Sequence, residues 1–391
     1  MPGGLSAWAA RIYGVLPEGA VSRLLPRSLR YEPAAVPVAH AEGTAPVRLL
    51  VAPVNFAGQG EAWARAVERA SPDVTAVSMA YHQPGAGFGF PVGVEVPASA
   101  YTLSRAWHRR QQAAIESDFT HVLVETGRPP AGAPYRESVA RQLTALRRAG
   151  VALGYLAHGT DVRVPSIHAA DNPDSPFRTG DHSALEHQAR SNLDLIARLG
   201  LPSFVSTPDL LDFLPDATWL PVVVTPSSWA TNAPVLMRDR PVVVHAPSSG
   251  PMKGSDVVDP VMTTLHERGI IEYRRLTGIP ARQMPEVYRH ADIVLEQFRI
   301  GGYGVAACEA MAAGRIVVGH VTPRVRDHVA AAAGMPLPIV QSSASELREV
   351  VLRILAERER FAEAATDGPA FVERLHDGAA SAEALRRFLG A

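Results

Sequence analysis

The sequence predicts an α/β protein with two parallel sheets, each covered on both faces by helices, the two halves facing each other across a cleft. Three observations predict it. Strand and helix signals alternate through most of the 391 residues. The strand segments are near-continuous apolar runs, the mark of sheets buried on both faces. The rhythm also occurs twice, on either side of a Pro/Ser/Asn-rich stretch, PSSWATNAP at 226–234, which reads as an interdomain linker. The length allows two or three domains. The predicted boundaries are an N-terminal arm over 1–45, a first α/β domain over 46–225, a second over 226–375, and a last helix near 376–391 that returns to the first.

The arm is basic and partly apolar. Arg11, Arg23, Arg27 and Arg30 face only Glu18, while Trp8, Ile12, Leu16, Leu24, Leu25 and Leu29 can form apolar faces on two short helices. It reads either as a membrane-surface or docking segment or as an extension packed on its own protein, and its modest amphipathicity favours the second. In the first domain, VRLLVAP (47–53) is a strand, NFAGQG (55–60) a loop, EAWARAVERA (61–70) a helix and DVTAVSMA (73–80) a strand. The Gly/Pro-rich loop 82–93 is followed by helical text over 101–116, a strand HVLVETG (121–127), a helix over 135–150 that stops at Gly150, and a strand VALGYLAH (151–158). A helix over 183–199, a strand at 202–206 and a short helix at 207–214, with Thr207 as N-cap and Pro208 at its first position, complete this half. The second half reads strand 241–247, helix 255–269, strand 270–276, helix 280–291, strand 292–297, helix 303–314 and strand 315–321, with further helices beyond.

Composition narrows the function. A net charge of −1 supplies no global field for nucleic acid. A single cysteine, Cys308, rules out an internal disulfide framework and fits a reducing, cytoplasmic setting. No apolar run is long enough to span a bilayer, so membrane contact is expected to be at most peripheral, through the arm.

In open α/β sheets ligands sit at the C-terminal ends of the strands, which directs attention to four loops. In RIGGYG (299–304), Gly301, Gly302 and Gly304 let backbone approach a ligand closely. The helix that begins near Tyr303 and Val305 offers free amides and a positive dipole end to a diphosphate. Glu309 lies roughly 7.5 Å further along the axis, within reach of a ribose diol. The same text also fits a tight turn followed by a surface glutamate, and the glycines alone do not decide. In HAPSSGPMKGSD (245–256), Lys253 stands at a helix N-terminus, where a cation is disfavoured unless it serves an anion, and Gly254 eases the turn. In HGTDVR (158–163), His158 reads as a base, a sugar-hydroxyl partner or a buried structural histidine, while Asp161 and Arg163 either line the cleft or pair with each other. NFAGQG (55–60) places Gly58 where a phosphate or acceptor can approach, but Trp63 breaks the dinucleotide fingerprint. GAGFGF (85–90) reads as an acceptor-side or flexible loop.

AACEAMAAGRIVVG (306–319) resembles the EAMA-x-G-x-P-V-V block of glycosyltransferase family 4, with Arg315-Ile316 in place of the usual Lys/Thr-Pro. HGTDVR is similar to that family's HG-[ST]-D-x-R block, and 205–221 resembles its strand–helix–Trp-Leu-Pro run. The likeness covers about 47–321. It implies a GT-B fold of two Rossmann-like domains, an N-terminal one for the acceptor and a C-terminal one for a UDP- or GDP-sugar. It implies retaining, metal-independent transfer to a hydroxyl on a glycan, lipid, natural product or protein, with a phosphate oxygen taking the acceptor's proton. Glu309 matches the second glutamate of the family's Glu-x7-Glu motif, which binds the donor ribose. Gly301 stands where the first glutamate belongs, so the sugar end departs from the pattern; Glu296-Gln297 match the Asp-Gln of a subgroup. Lys253 matches a phosphate-binding lysine, but Ser248 or Gly250 stands where an arginine is expected, and Arg299 is the candidate substitute. His158 matches a histidine near the donor sugar's C6 oxygen.

The expected catalytic set is His158, Lys253 and Glu309. The expected donor-binding set is Gly58, Asp161, Lys253, Gly254, Arg299, Gly302, Tyr303, Gly304, Val305 and Glu309. No cofactor or metal is expected: no Asp-x-Asp triplet, zinc-spaced cluster, nucleophile elbow or Walker loop occurs, and Asp171/Asp174 reads as an Asx-type loop. A nucleotide-sugar epimerase and a non-catalytic sugar-nucleotide-binding partner are the competing readings. Turnover by the purified chain separates them.

Overall fold

The computed structural model describes residues 18–82, 88–132 and 138–390. Trp8, Arg11, Ile12 and Leu16 of the arm, half of GAGFGF and the start of the 135–150 segment lie outside the described residues, as does the side chain of Glu18. The chain divides into two compact units. The first comprises Met1–His158, Ser191–Phe204 and Ala382–Ala391; the second comprises Gly159–Arg190 and Val205–Ser381.

A seven-stranded sheet is ordered β3-β2-β1-β4-β5-β6-β7. Its strands are β1 (Val47–Ala52), β2 (Val74–His82), β3 (Val94–Pro97), β4 (His121–Glu125), β5 (Ala152–Ala157), β6 (Ser203–Val205) and β7 (Thr218–Trp219). β1 pairs in parallel with β2 and β4, β2 with β3, and β4 with β5. The final four residues of β1, and all but the first of β4 and β5, are buried. These apolar runs therefore read correctly as strands covered on both sides. The helical text at 101–116 is two helices, Ala98–Leu103 and Arg105–Asp118. Ser104 divides them: it is extended, and its hydroxyl caps the second by accepting from the Trp107 amide at 3.2 Å. The predicted helix at 207–214 is a single 3-10 turn, Pro208–Asp212.

The described part of the arm, helix Glu18–Leu24 and the segment after it, packs on its own unit. Val21, Leu25, Tyr31, Val36 and Ala39 are buried. The helix Arg105–Asp118 holds this segment: Trp107 donates to the Pro37 carbonyl at 2.7 Å, and Gln111 accepts from the Ala39 amide at 2.9 Å. At the other chain end, helix Ala379–Leu389 brings Phe388 edge-on to His121, with ring centroids 5.2 Å apart, and close to Phe204.

The second unit carries a five-stranded parallel sheet, β12-β11-β10-β8-β9. Its strands are β8 (Val242–His245), β9 (Glu272–Arg275), β10 (Ile293–Leu295), β11 (Ile316–Gly319) and β12 (Ile339–Gln341). Every residue of β8, β10 and β11 is buried. The core joins Val243, Leu295 and Val318 of the sheet to Met262 and Leu265 of helix Ser255–Glu267 and Ile354 of helix Leu347–Ala356. Residues 226–234 pack within this unit: Trp229 lies 5.7 Å from Tyr288, and Arg315 donates to the Ala233 carbonyl at 2.6 Å. No helix among the described residues is long and apolar enough to cross a membrane.

Candidate functional site

The site in the second unit is built at the C-terminal ends of β8 and β10. After β10 the chain turns through Glu296–Gly304 into helix Val305–Ala312, whose N-cap Gly304 carries no capping side chain. The first amides of that helix therefore have no partner within it. Gln297 shapes the turn. Its amide oxygen accepts from the Ile300 and Arg299 amides, at 2.7 and 3.2 Å, and its amide nitrogen donates to the carbonyls of Gly302 and His320. One buried side chain thus fixes four points of backbone.

The outer side of the turn is held by the segment 159–190, which sequence reasoning left out of this half. Asn172 donates to the Arg299 carbonyl at 2.9 Å and His168 to the Ile300 carbonyl at 3.2 Å. Burial holds His168 below the usual imidazole range, and Ser175 donates to its other ring nitrogen at 2.6 Å. Asn172 also accepts from the Asp174 amide at 2.9 Å, so the DNPD segment forms an Asx turn as read, made by the asparagine.

Two glycines of this turn have steric causes. Gly301 has φ +84°, and a Cβ there would stand 2.7 Å from the Thr322 methyl. A glutamate at 301 would meet both penalties. The departure from the family pattern is therefore built into the backbone rather than being a simple side-chain loss. A Cβ on Gly302 would come within 2.5 Å of Asp209, whose carboxylate pairs with the buried Arg163. Both Asp161 and Arg163 are buried and engaged with protein groups. Arg163 pairs with Asp209, and Asp161 accepts from the Gly159 amide at 2.7 Å, closing its own turn.

Glu309 lies one turn into the helix. Among the described residues its carboxylate has no hydrogen-bond donor or cation, and burial pushes it up to about 8. Lys253 ends the four-residue helix Gly250–Lys253, before Gly254 at φ +79°, and pairs with the buried Glu296. Arg299, the candidate substitute for the missing arginine, lies against Gly254 and gives its guanidinium to Asp256 at 2.5 Å. The Tyr303 hydroxyl faces inward and donates to His376 at 3.1 Å, while His376 donates to the Val222 carbonyl at 2.8 Å. That histidine is buried and held down at about 4, so it stays neutral. Tyr303 thus anchors the helix start, and only its backbone faces the turn. His245, at the end of β8, is similarly neutral at about 4 through burial, between the Leu295 carbonyl and the Ser255 hydroxyl.

His158 belongs to the first unit. It donates to Glu125 at 3.0 Å and is packed by Phe56 and Trp63, with ring centroids 5.3 and 5.7 Å away. Glu125 is fully buried, accepts from the Val54 amide at 3.0 Å, and is raised by burial, which His158 partly offsets. Sequence reasoning took HVLVE as strand text and missed this acid. A carboxylate closing an otherwise apolar strand was the available signal. Gly58 has φ +75° and lies against Phe90, at the start of helix Gln59–Ala70.

Two parallel α/β units with glycine turns at strand ends give an architecture of the GT-B class. Comparison with solved structures agrees. Sucrose-phosphate synthase from Thermosynechococcus elongatus is 12% identical with a TM-score of 0.59, covering 87% of this chain and 98% of its own. Anabaena HepE in complex with UDP and glucose is 10% identical at 0.58, covering 88% and 99%. WaaG, a glycosyltransferase involved in lipopolysaccharide biosynthesis, is 14% identical at 0.53, covering 88% and 100%. At these identities the likeness establishes the GT-B fold. No family model matches the chain, and a search of curated proteins gives no match.

Proposed function

We propose that the protein is a nucleotide-sugar glycosyltransferase related to family 4. The second unit holds the nucleotide diphosphate of a UDP- or GDP-sugar, and the first takes a hydroxyl acceptor. The observation that carries this is Glu309. An acid that burial raises to about 8, with no donor among the described residues, is costly to ionise unless a ligand supplies hydroxyl groups. It stands one turn into a helix with an uncapped start, the arrangement that suits a ribose beside a diphosphate. Lys253, Gly254 and the amides of Gly302, Gly304 and Val305 supply charge and donors for the phosphates. Exchange of Lys253 from Glu296 to the diphosphate is the chemical step that loading requires.

The mechanism that fits this donor set is retaining and metal-independent. The acceptor oxygen attacks the anomeric carbon from the face the diphosphate leaves, the bond to the phosphate oxygen breaks, and that oxygen takes the acceptor's proton. The protein contributes positioning and charge stabilisation. His158, oriented by Glu125, is the residue of the first unit proposed to serve the reacting sugar. Cys308, buried and raised by burial, fits a cytoplasmic setting. Binding of UDP, GDP, ADP and dTDP and their sugars by thermal shift and calorimetry, followed by donor hydrolysis and transfer to an acceptor panel, tests the proposal. Binding that Glu309→Ala does not weaken would overturn the ribose assignment. Tight binding with no turnover would favour a sugar-nucleotide-binding partner.

A further inference from the structure

The first unit carries a second cluster, just past the Glu125 that holds His158. Tyr81, near the end of β2, stacks on Tyr101 with ring centroids 3.9 Å apart. Arg128, three residues past β4, bonds to the Tyr81 hydroxyl, and its guanidinium carbon lies 5.7 Å from the Tyr81 ring centroid. The bond and the nearby guanidinium only partly offset burial, which raises the Tyr81 phenol, so it remains a donor. The turn that delivers Arg128 is strained. Thr126 has φ +57°, and its buried hydroxyl has no partner among the described residues. Gly127 follows at φ +63°, where a Cβ would stand 2.5 Å from Asn192. Strained backbone carrying an unused buried donor is characteristic of ligand-binding turns.

Arg128 also differs from two other arginines of the first unit. Arg48 is taken up by the carbonyls of Ala45 and Asp118, and Arg65 by Glu61 and Glu68. Arg128 is half-buried and makes no salt bridge among the described residues: the buried Glu125 carboxylate, already bonded to His158, feels its charge, but the one hydrogen bond its side chain makes there goes to a neutral phenol. A guanidinium has five N–H donors in a planar fork suited to an oxyanion. A part-desolvated cation held against an aromatic ring, with most of its donors unbonded among the described residues, is preorganised for such a group.

We propose that Tyr81, Arg128 and the Thr126 turn form an acceptor subsite for an oxyanion, a phosphate or carboxylate on the molecule that receives the sugar. The word acceptor rests on the transferase reading; the anion site does not. The full chain is titrated with phenyl phosphate and with benzoate, by ligand-observed NMR, alongside R128L, R128K and Y81F. UDP is titrated into the same samples. The expected result is saturable binding to wild type, weakened about tenfold or more in R128L and clearly weakened in R128K, which keeps the charge but lacks the fork. Y81F falls between them and wild type. Preference for phenyl phosphate assigns the group as phosphate, and preference for benzoate as carboxylate. UDP affinity stays the same in all four proteins. Equal binding of both probes by wild type and R128K, or none by wild type, overturns the site. Loss of UDP binding by wild type would count against the transferase reading alone. Should R128L fail to fold, R128K and Y81F decide.

Discussion

Two glutamates, one in each unit, are raised by burial and differ in their company. Glu125 closes β4 and meets His158 and the Val54 amide. Glu309 sits one turn into its helix with no hydrogen-bond donor among the described residues. The first is satisfied by the protein itself, so it works as a positioning group, holding the tautomer and orientation of its histidine. The second lacks a donor among the described residues, which is what the proposed ribose would supply. Burial is common to both, and the missing partner is what singles out Glu309 as the proposed binding residue.

The largest expected effect breaks or confirms that contrast. Glu309→Ala should weaken UDP by about two to three orders of magnitude, the loss of two hydrogen bonds to a charged group, whereas Glu125→Gln should leave UDP affinity unchanged while lowering turnover. Calorimetric titration of both variants checks this. Equal losses in the two would erase the contrast between Glu309 and Glu125.

Lys253 comes next, and its effect has two sources. Lys253→Ala removes the phosphate partner and also leaves Glu296 buried without its cation, which destabilises the apo protein. The double variant Lys253→Met with Glu296→Gln should recover the melting temperature yet keep the loss of UDP affinity, about tenfold or more. Recovery of both would reduce Lys253 to an ion-pair partner of Glu296.

A smaller effect sharpens the sugar end. Restoring the family's first glutamate, Gly301→Glu, should weaken UDP binding and lower stability by about 1–2 kcal/mol for the left-handed backbone alone, with more from the Thr322 methyl 2.7 Å away. Gly301→Ala should reproduce most of that loss in a melting curve. A Gly301→Glu protein with higher donor affinity would show that the turn has room after all.

These residues also show how far the sequence can be read. The apolar runs of β1, β4, β5, β8, β10 and β11 were legible because both faces of each sheet are covered. β3 was hidden behind a Gly/Pro-rich loop, and β12 is three residues long with only its first fully buried. Glu309 and Lys253 stand out by motif and position. Glu125, Asn172 and His168 were not, because their partners are distant in sequence: 33 residues for Glu125 and His158, 127 for Asn172 and Arg299, and 132 for His168 and Ile300. Gln297 was visible as a letter in a pattern, but its four bonds go to backbone groups that no sequence pattern displays.

The smallest expected effect tests the missing partner through pH. The folded protein holds Glu309 at about 8 against an ordinary 4.5. Between those values the native state binds a proton that the unfolded chain releases, so stability is greatest below about 4.5 and declines as pH rises toward 8. Glu309→Gln carries no such proton. Its melting temperature should exceed that of wild type by a few degrees at pH 8.5, and the difference should shrink as pH falls toward 5. Ribose hydroxyls favour the ionised form, so saturating UDP should narrow the gap at pH 8.5 by stabilising wild type, and UDP binding near pH 7 should release a fraction of a proton. Titrations in two buffers of different ionisation enthalpy measure that release, and its persistence in Glu309→Gln would assign the proton to another group.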